Sequence, residues 1–464
     1  METISLDYNF MLAEAIGEDH GLKESDIDSV RKKATKFIKE ISKQRKAGEL
    51  DYLKLPYDRQ TQEKILNVAE DIRRNYRNVV VLGIGGSALG ASALFQALKP
   101  WVYNVYPLKS YPRLFVLDNI DPKYIADVAE ILDPRETILC VVSKSGSTTE
   151  TVAQYIFFKK WVMDICGSDY KRHFIFITDP EKGPLREIAE RDGIISFPVP
   201  PKVGGRYSVL SSVGLFPTAC VGVDIYAVCE GAAHMDDICR TDVIDENPAL
   251  MYAALNFLMY SKKKKDISVI FSYSNKLYGL ADWYRQLLAE SLGKKYDEDG
   301  KEVVVGITPV KALGVTDQHS QVQLYVEGPN DKTFTFLKVE DYDVTLYIPK
   351  DVEDHKDLKF LENHTFSEII EAERVGTEYA LKKAQRPSCT ISFPKITPYT
   401  VGQFFLLMEL SVNLMGKFFK VNPFDQPGVE EGKQAAFALL GRPGYEKKRE
   451  EIVGDIEKDL SFRI

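Results

Sequence analysis

Ile27, Val30, Ala34, Phe37 and Ile41 recur three and four residues apart with polar positions between them, and Ile65, Val68, Ile72 and Tyr76 repeat the spacing. Such stripes occupy one face of a 3.6-residue helix, so the first stretch predicts two amphipathic helices, the first behind a Ser25 cap. From residue 78 the rhythm changes. Short β-rich runs stand at 78–82 (NVVVL), 114–118 (LFVLD), 137–142 (TILCVV), 173–178 (HFIFIT) and 194–197 (IISF). Between them lie the helical segments ALGASALFQAL, PKYIADVAEIL, VAQYIFFKKWV and PLREIAERD. Strands apolar on both faces and alternating with helices predict a parallel sheet covered on either side.

A helical stretch at 249–260 and a surface turn at 261–266 lead into a second series. It has strands at 267–273, 303–307, 333–339 and 389–393, a helix around 283–291, and helices near 368–383, 401–419 and 429–440. The fold class is therefore α/β, with two units joined near 220–245. A charged tail, EKKREEIVGDIEKD, is expected as a surface helix.

The 464 residues exceed what one core of about 250–300 residues can organise, in keeping with two units. A formal charge of −8 argues against broad, charge-driven binding to nucleic acid or anionic membrane. METISLDYNF has no signal-peptide pattern. The apolar run 401–419 is interrupted by Gln403, Glu409, Asn413 and Lys417, which predicts a buried helix rather than a membrane span. The expected location is the cytoplasm. The six cysteines form no C-x-x-C pair and are expected reduced and buried. The six histidines contain no i, i+4 pair, so neither a resident metal nor another cofactor is expected, although carboxylate-bound Mg²⁺ stays open on this ground.

Six segments carry candidate chemistry. VVVLGIGGSALG (79–90) runs from strand through Gly83, Gly85 and Gly86 to Ser87, reading equally as an anion-binding turn or a tight strand-to-helix connection. Its Gly83-x-Gly85-x-x-Ala88 also fits a dinucleotide fingerprint, but the next strand-end acid, Asp118, stands 35 positions beyond Gly83 rather than about 20. SKSGSTTET (143–151) crowds Ser143, Ser145, Ser147, Thr148, Thr149 and Thr151 around Lys144. That surplus of hydroxyls at a helix start favours a phosphate cradle, with a Ser147/Glu150 capping box as the plainer function.

VGGRYS (203–208) either aims Arg206 into a cleft or uses it to clamp loop carbonyls. On GLADWYRQLLAESLGK (279–294), Leu280, Trp283, Tyr284 and Leu287 share one face and Glu290 falls beside Trp283. There an aromatic surface would disfavour its charged form and suit it to acid–base work, or it simply reaches water. DQHS (317–320) holds His319 with Asp317 or Ser320 to orient its ring; an inconsequential helix-start histidine is the alternative. NPFDQPGVEEGKQ (422–434) places Lys433 near a helix N-terminus, against the dipole preference, which asks for a compensating anion or partner unless it is an ordinary surface lysine.

In this order, GIGGS, SKSGSTTET, GGRYS, the Q-x-x-x-E-S-x-G-K run (286–294), Gly314-x-x-x-Gln318-His319 and FDQPGVEEGK resemble the glucose-6-phosphate isomerase (phosphoglucose isomerase) family over residues 78–434. Ala289 and Leu292 depart from the Met and Asn common in that family.

The resemblance implies two sugar-isomerase (SIS) domains, each a mostly parallel sheet in a three-layer α/β/α arrangement. The implied division is an N-terminal helical extension (1–64), a first SIS domain (65–220), a crossover (221–245), a second SIS domain (246–445) and the tail (446–464). It implies metal-free interconversion of glucose 6-phosphate and fructose 6-phosphate by a homodimer whose His319 comes from the partner subunit. Glu290 would be the base, Arg206 the stabiliser of an enediolate, and His319 with Lys433 the ring-opening pair. Ser143, Lys144, Ser145 and Thr148 would hold phosphate, with Gly86, Ser87, Gln286 and Gln426 lining the pocket. A bifunctional phosphoglucose/phosphomannose isomerase and a non-catalytic sugar-phosphate sensor are the rival readings. Gln286 counts against the first by resemblance, and the joint presence of Glu290, His319 and Lys433 against the second.

Overall fold

The computed structural model describes residues 3–106, 111–456, 458, 461 and 463. In chain order its strands are β1 (Ser5–Asp7), β2 (Asn78–Leu82), β3 (Arg113–Leu117), β4 (Thr137–Val142), β5 (Phe174–Thr178), β6 (Ile195–Pro198), β7 (Ile267–Ser272), β8 (Lys294–Tyr296), β9 (Glu302–Val305), β10 (Thr308–Leu313), β11 (Lys332–Asp341) and β12 (Ser388–Lys395). One sheet is parallel throughout, in the order β3-β2-β4-β5-β6. The other has the order β1-β12-β11-β7-β10 and is parallel except for β1, which lies antiparallel along β12 with Ser5 opposite Ser392. β8 and β9 form a separate hairpin. The α/β class with two mostly parallel sheets flanked by helices is thus the observed fold.

Alternation along buried strands sends successive side chains to opposite faces. In the first sheet Val80, Leu82, Leu139, Val141, Phe174 and Phe176 pack under Val128, Tyr155, Phe158, Val162 and Leu185 of the flanking helices. Their neighbours Val79, Val81, Ile138, Cys140 and Ile175 face a central core shared with the N-terminal helices and the helix Pro398–Phe419. The second sheet divides likewise, Val269, Phe271, Phe334 and Phe336 forming a core with Tyr325 and Leu381. Pro398–Phe419 crosses the helix Ile225–Ile238 backbone to backbone. A Cβ on Gly231 would stand 1.8 Å from the Tyr399 carbonyl oxygen, and one on Gly402 1.9 Å from that of Val228.

From β2 the chain moves to β3 on one side and returns past β2 to β4 on the other. The connections leave in opposite directions, which makes the carboxyl ends of β2 and β4 a topological switch point, the place where open α/β sheets bind ligands. The glycine turn and the hydroxyl-rich segment follow these two ends.

Several expectations are revised. The first helix spans Glu24–Lys46, so Ser25 lies inside it; Lys23 takes the cap position, its N–H donating to Asp26 at 2.9 Å. The strand expected at 303–307 pairs as β9 in the hairpin, and the edge of the second sheet is β10, whose Pro309 and Lys311 break the apolar pattern in a way an edge strand tolerates. The turn at 261–266 begins inside the helix Pro248–Lys263 and contains Lys265, which is 1 % exposed. The tail forms the exposed helix Glu446–Asp455; its Glu457 and Asp459 lie outside the described residues.

Candidate active site

At the end of β4 the Ser143 and Thr148 hydroxyls meet at 2.8 Å, and Ser145 accepts from the Ser147 N–H and hydroxyl, both at 3.3 Å. Gly146 turns the segment at φ +67°. The expected Ser147/Glu150 capping box is not formed. The helix Thr149–Cys166 has Thr148 as its N-cap, and that hydroxyl goes to Ser143 instead of the helix. The first N–H groups of the helix therefore have no side-chain cap and stand at its positive end beside a cluster of hydroxyls, a ready cradle for an anion. Lys144 turns to the neighbouring loop, donating to the carbonyls of Pro201 and, at 2.9 Å, Val203. Burial pulls its ammonium below the ordinary lysine range.

The Gly205–Tyr207 turn touches the Gly85–Ser87 turn so closely that a Cβ on Gly86 would lie 2.3 Å from the Gly205 carbonyl carbon. This contact sets Arg206 beside the turn that follows β2, where it is 3 % exposed. Its Nε donates to Ser291 Oγ (2.8 Å), its Nη1 to Gln426 Oε1 (2.9 Å) and Glu290 Oε2 (3.2 Å), and its Nη2 to the carbonyls of Pro423 (2.6 Å) and Asp425 (2.9 Å). Of the two readings left open for this residue, the clamp on loop carbonyls is the one these contacts form, and the guanidinium also faces a carboxylate.

The helix Tyr278–Leu292 buries Leu280, Trp283, Tyr284 and Leu287, as its stripe predicts. The surroundings of Glu290 differ from the expected aromatic wall. Trp283 turns inward, edge-on to Phe405 at 4.6 Å, while the Glu290 carboxylate, one-third exposed, lies between Arg206 and the Gln286 amide, whose Nε2 donates to Oε1 at 2.9 Å. Gln286 also reaches the glycine turn: a Cβ on Gly85 would stand 2.9 Å from Nε2. Two further residues enter the site that the sequence reading passed over. Ser291 accepts from Arg206, and Lys294 donates to the Glu290 carbonyl at 2.7 Å and the Asp425 carbonyl at 2.9 Å. Their only sequence signal was membership of the 286–294 run.

His319 and Lys433 stand apart from this group. His319 is exposed after the short turn Thr316–Gln318. Asp317, expected to orient its ring, accepts instead from the Leu313 N–H and the Ser320 hydroxyl, each at 2.7 Å. Lys433 is exposed on the helix Glu430–Leu439, where Glu430 at 2.8 Å supplies the compensating anion. Among the described residues no group of three or more His, Cys, Asp or Glu side chains is arranged to hold a metal ion, and no helix is long and apolar enough to cross a membrane.

The sequence profile of the phosphoglucose isomerase family matches residues 67–454. The chain belongs to the phosphoglucose isomerase family. Among its relatives in that family, the glucose-6-phosphate isomerase of Carboxydothermus hydrogenoformans is 43 % identical over 462 residues, 99 % of each chain. The crystal structure of a hypothetical protein from Thermus thermophilus superposes with a TM-score of 0.83 at 34 % identity, covering 95 % of this chain and 100 % of that one. That of a glucose-6-phosphate isomerase from Chlamydia trachomatis gives 0.73 at 24 % identity, covering 85 % and 76 %, a likeness of fold. The span matched to the phosphoglucose isomerase family contains all six motif segments.

Proposed function

We propose that the protein interconverts glucose 6-phosphate and fructose 6-phosphate, in the cytoplasm, as a step shared by glycolysis and gluconeogenesis. The observation that supports this reading is the Glu290 carboxylate held between a fixed guanidinium and an amide, and the uncapped, hydroxyl-rich helix start after β4 adds to it. Glu290 takes the proton from C2 of the open-chain aldose and returns it to C1, through a cis-enediol(ate). Negative charge develops on oxygen during that transfer, and a guanidinium already locked by five hydrogen bonds meets it without reorganising. Ser143, Ser145, Thr148 and the helix N–H groups hold the phosphate, with Lys144 securing their loop. Gly86, Ser87, Gln286 and Gln426 line the space between. Binding the remote phosphate supplies energy that orients the reacting carbons.

Ring opening falls to His319 and Lys433, and with it the requirement for a second subunit. His319 is exposed on its own chain, and the later segment 344–366 presents Val344, Leu346, Tyr347, Phe360 and Phe366, each more than half exposed. Exposed apolar side chains in such number mark an interaction surface, which supports a homodimer with His319 reaching the partner's site. The division at 64/65, 220/221, 245/246 and 445/446 belongs to the same proposal, and no step in it calls for a metal or cofactor.

A coupled assay with fructose 6-phosphate and mannose 6-phosphate side by side tests the reading. Turnover of the first alone is expected. Equal turnover of both means the bifunctional enzyme, and binding without turnover means a sensor. Glu290→Gln is expected to keep fructose 6-phosphate binding, measured calorimetrically, and to lose about 10²–10⁴-fold in turnover; near-normal turnover would remove Glu290 as the base.

A further inference from the structure

Lys294 has no part in the chemistry above, although it lies one turn beyond the base. It is 8 % exposed, and its Nζ donates to the Glu290 carbonyl (2.7 Å) and the Asp425 carbonyl (2.9 Å), with the Asp425 carboxylate at 3.4 Å. The first contact is a helix cap: the Glu290 carbonyl belongs to the last turn of Tyr278–Leu292 and has no partner within the helix. The second exceeds what a cap needs. The same Asp425 oxygen accepts from Arg206 Nη2 at 2.9 Å, so two buried cations converge on one carbonyl. A ring of contacts closes, with Arg206 on the Glu290 carboxylate, Lys294 on the Glu290 main chain, and both on Asp425. Placing a second positive charge there is unfavourable in itself. Burial, and then the charge of Arg206, hold the Lys294 ammonium below the ordinary lysine range, so packing alone gives no reason for a lysine here.

We infer that Lys294 is a positioning residue for the isomerisation, pinning the end of the Glu290 helix to the 423–426 turn. It thereby sets the separation of carboxylate and guanidinium at which the enediolate forms and is neutralised. Its charge also faces the negative end of the helix that carries the base, offsetting the helix dipole where negative charge develops. The turn it holds carries Gln426 and continues through Pro427–Val429 into the helix bearing Lys433, so the same contact registers the ring-opening arm against the base. This inference rests on Glu290 and Arg206 acting as proposed above.

The test is steady-state kinetics on the full-length protein with fructose 6-phosphate, for Lys294→Met, Lys294→Gln and Lys294→Arg, with rates expressed per folded molecule from circular dichroism and gel filtration. Wild-type turnover is measured first; its absence would defeat the isomerase reading itself. Given an active wild type, Met and Gln are expected to lower kcat about 30–100-fold with KM within 3-fold. Inhibition by a phosphorylated aldonic acid, whose planar carboxylate mimics the enediolate, should weaken in parallel. Arg, which keeps the charge on a longer head, is expected to recover most of the loss and remain 3–10-fold below wild type. A kcat per folded molecule within 3-fold of wild type for Met or Gln, or losses in KM alone, would overturn the inference. If neither variant folds, Lys294→Arg decides: the 3–10-fold kcat deficit at unchanged KM supports it, and wild-type kcat overturns it.

Discussion

Glu409 sits midway along Pro398–Phe419 with no exposed surface, and neither of its carboxylate oxygens has a hydrogen-bond partner among the described residues. Burial pushes its carboxyl well above the usual range. The unfolded chain releases this proton near pH 4.3 while the folded chain retains it, so ionisation favours unfolding as pH rises above that value. Glu409→Gln is expected to melt above the parent at pH 7 and level with it at pH 4, measured by thermal unfolding. Asp236 behaves oppositely. Burial raises its carboxyl, but hydrogen bonds from Arg45, Arg240 and Tyr57 outweigh that and leave it below the ordinary value. Its contribution is present above about pH 4 and disappears as pH falls through the folded value. Asp236→Asn is expected to destabilise by about 3 kcal/mol at pH 7, with a smaller difference in acid, by denaturant titration at two pH values.

At the scale of elements, the fold is most exposed to change where helices meet without side chains between them. Gly231→Ala or Gly402→Ala adds a methyl within 2 Å of a carbonyl oxygen on the opposing helix. Each is expected to cost about 1–3 kcal/mol or more, read from the shift in urea midpoint. Legibility in the sequence followed the same physics. Strands buried on both faces, such as Val79–Val81, announced themselves as apolar runs. The edge strands β1 and β10 did not, because half of their surface is free to be polar. Glu290, Arg206 and Gln426 were recognisable through their motifs, but their mutual contacts join residues more than 80 positions apart. Helical periodicity placed Glu290 beside Trp283 and had no means of showing that a guanidinium from another loop would stand against it. Lys294 escaped for a related reason: a lysine after a helix reads as solvated until the turn that buries it is seen.

For the molecule as a whole, the net charge of −8 coexists with a site for a dianionic substrate. The cations of the proposed site are committed to backbone carbonyls, Lys144 to Pro201 and Val203, Lys294 to Glu290 and Asp425, and Arg206 to Pro423 and Asp425. In the proposed function, attraction therefore falls to the helix start and the hydroxyls, which act over short range. One further consequence lies in β1. Its three residues complete the edge of a sheet built from the second half of the chain, Ile4 N–H donates to Gln403 Oε1 at 3.0 Å, and Tyr52 accepts from Asn413 at 2.9 Å. This segment's partners thus lie nearly 400 residues further along the chain. Pairing β1 with β12 closes a loop of nearly 400 residues, a long-range contact whose entropy cost slows folding.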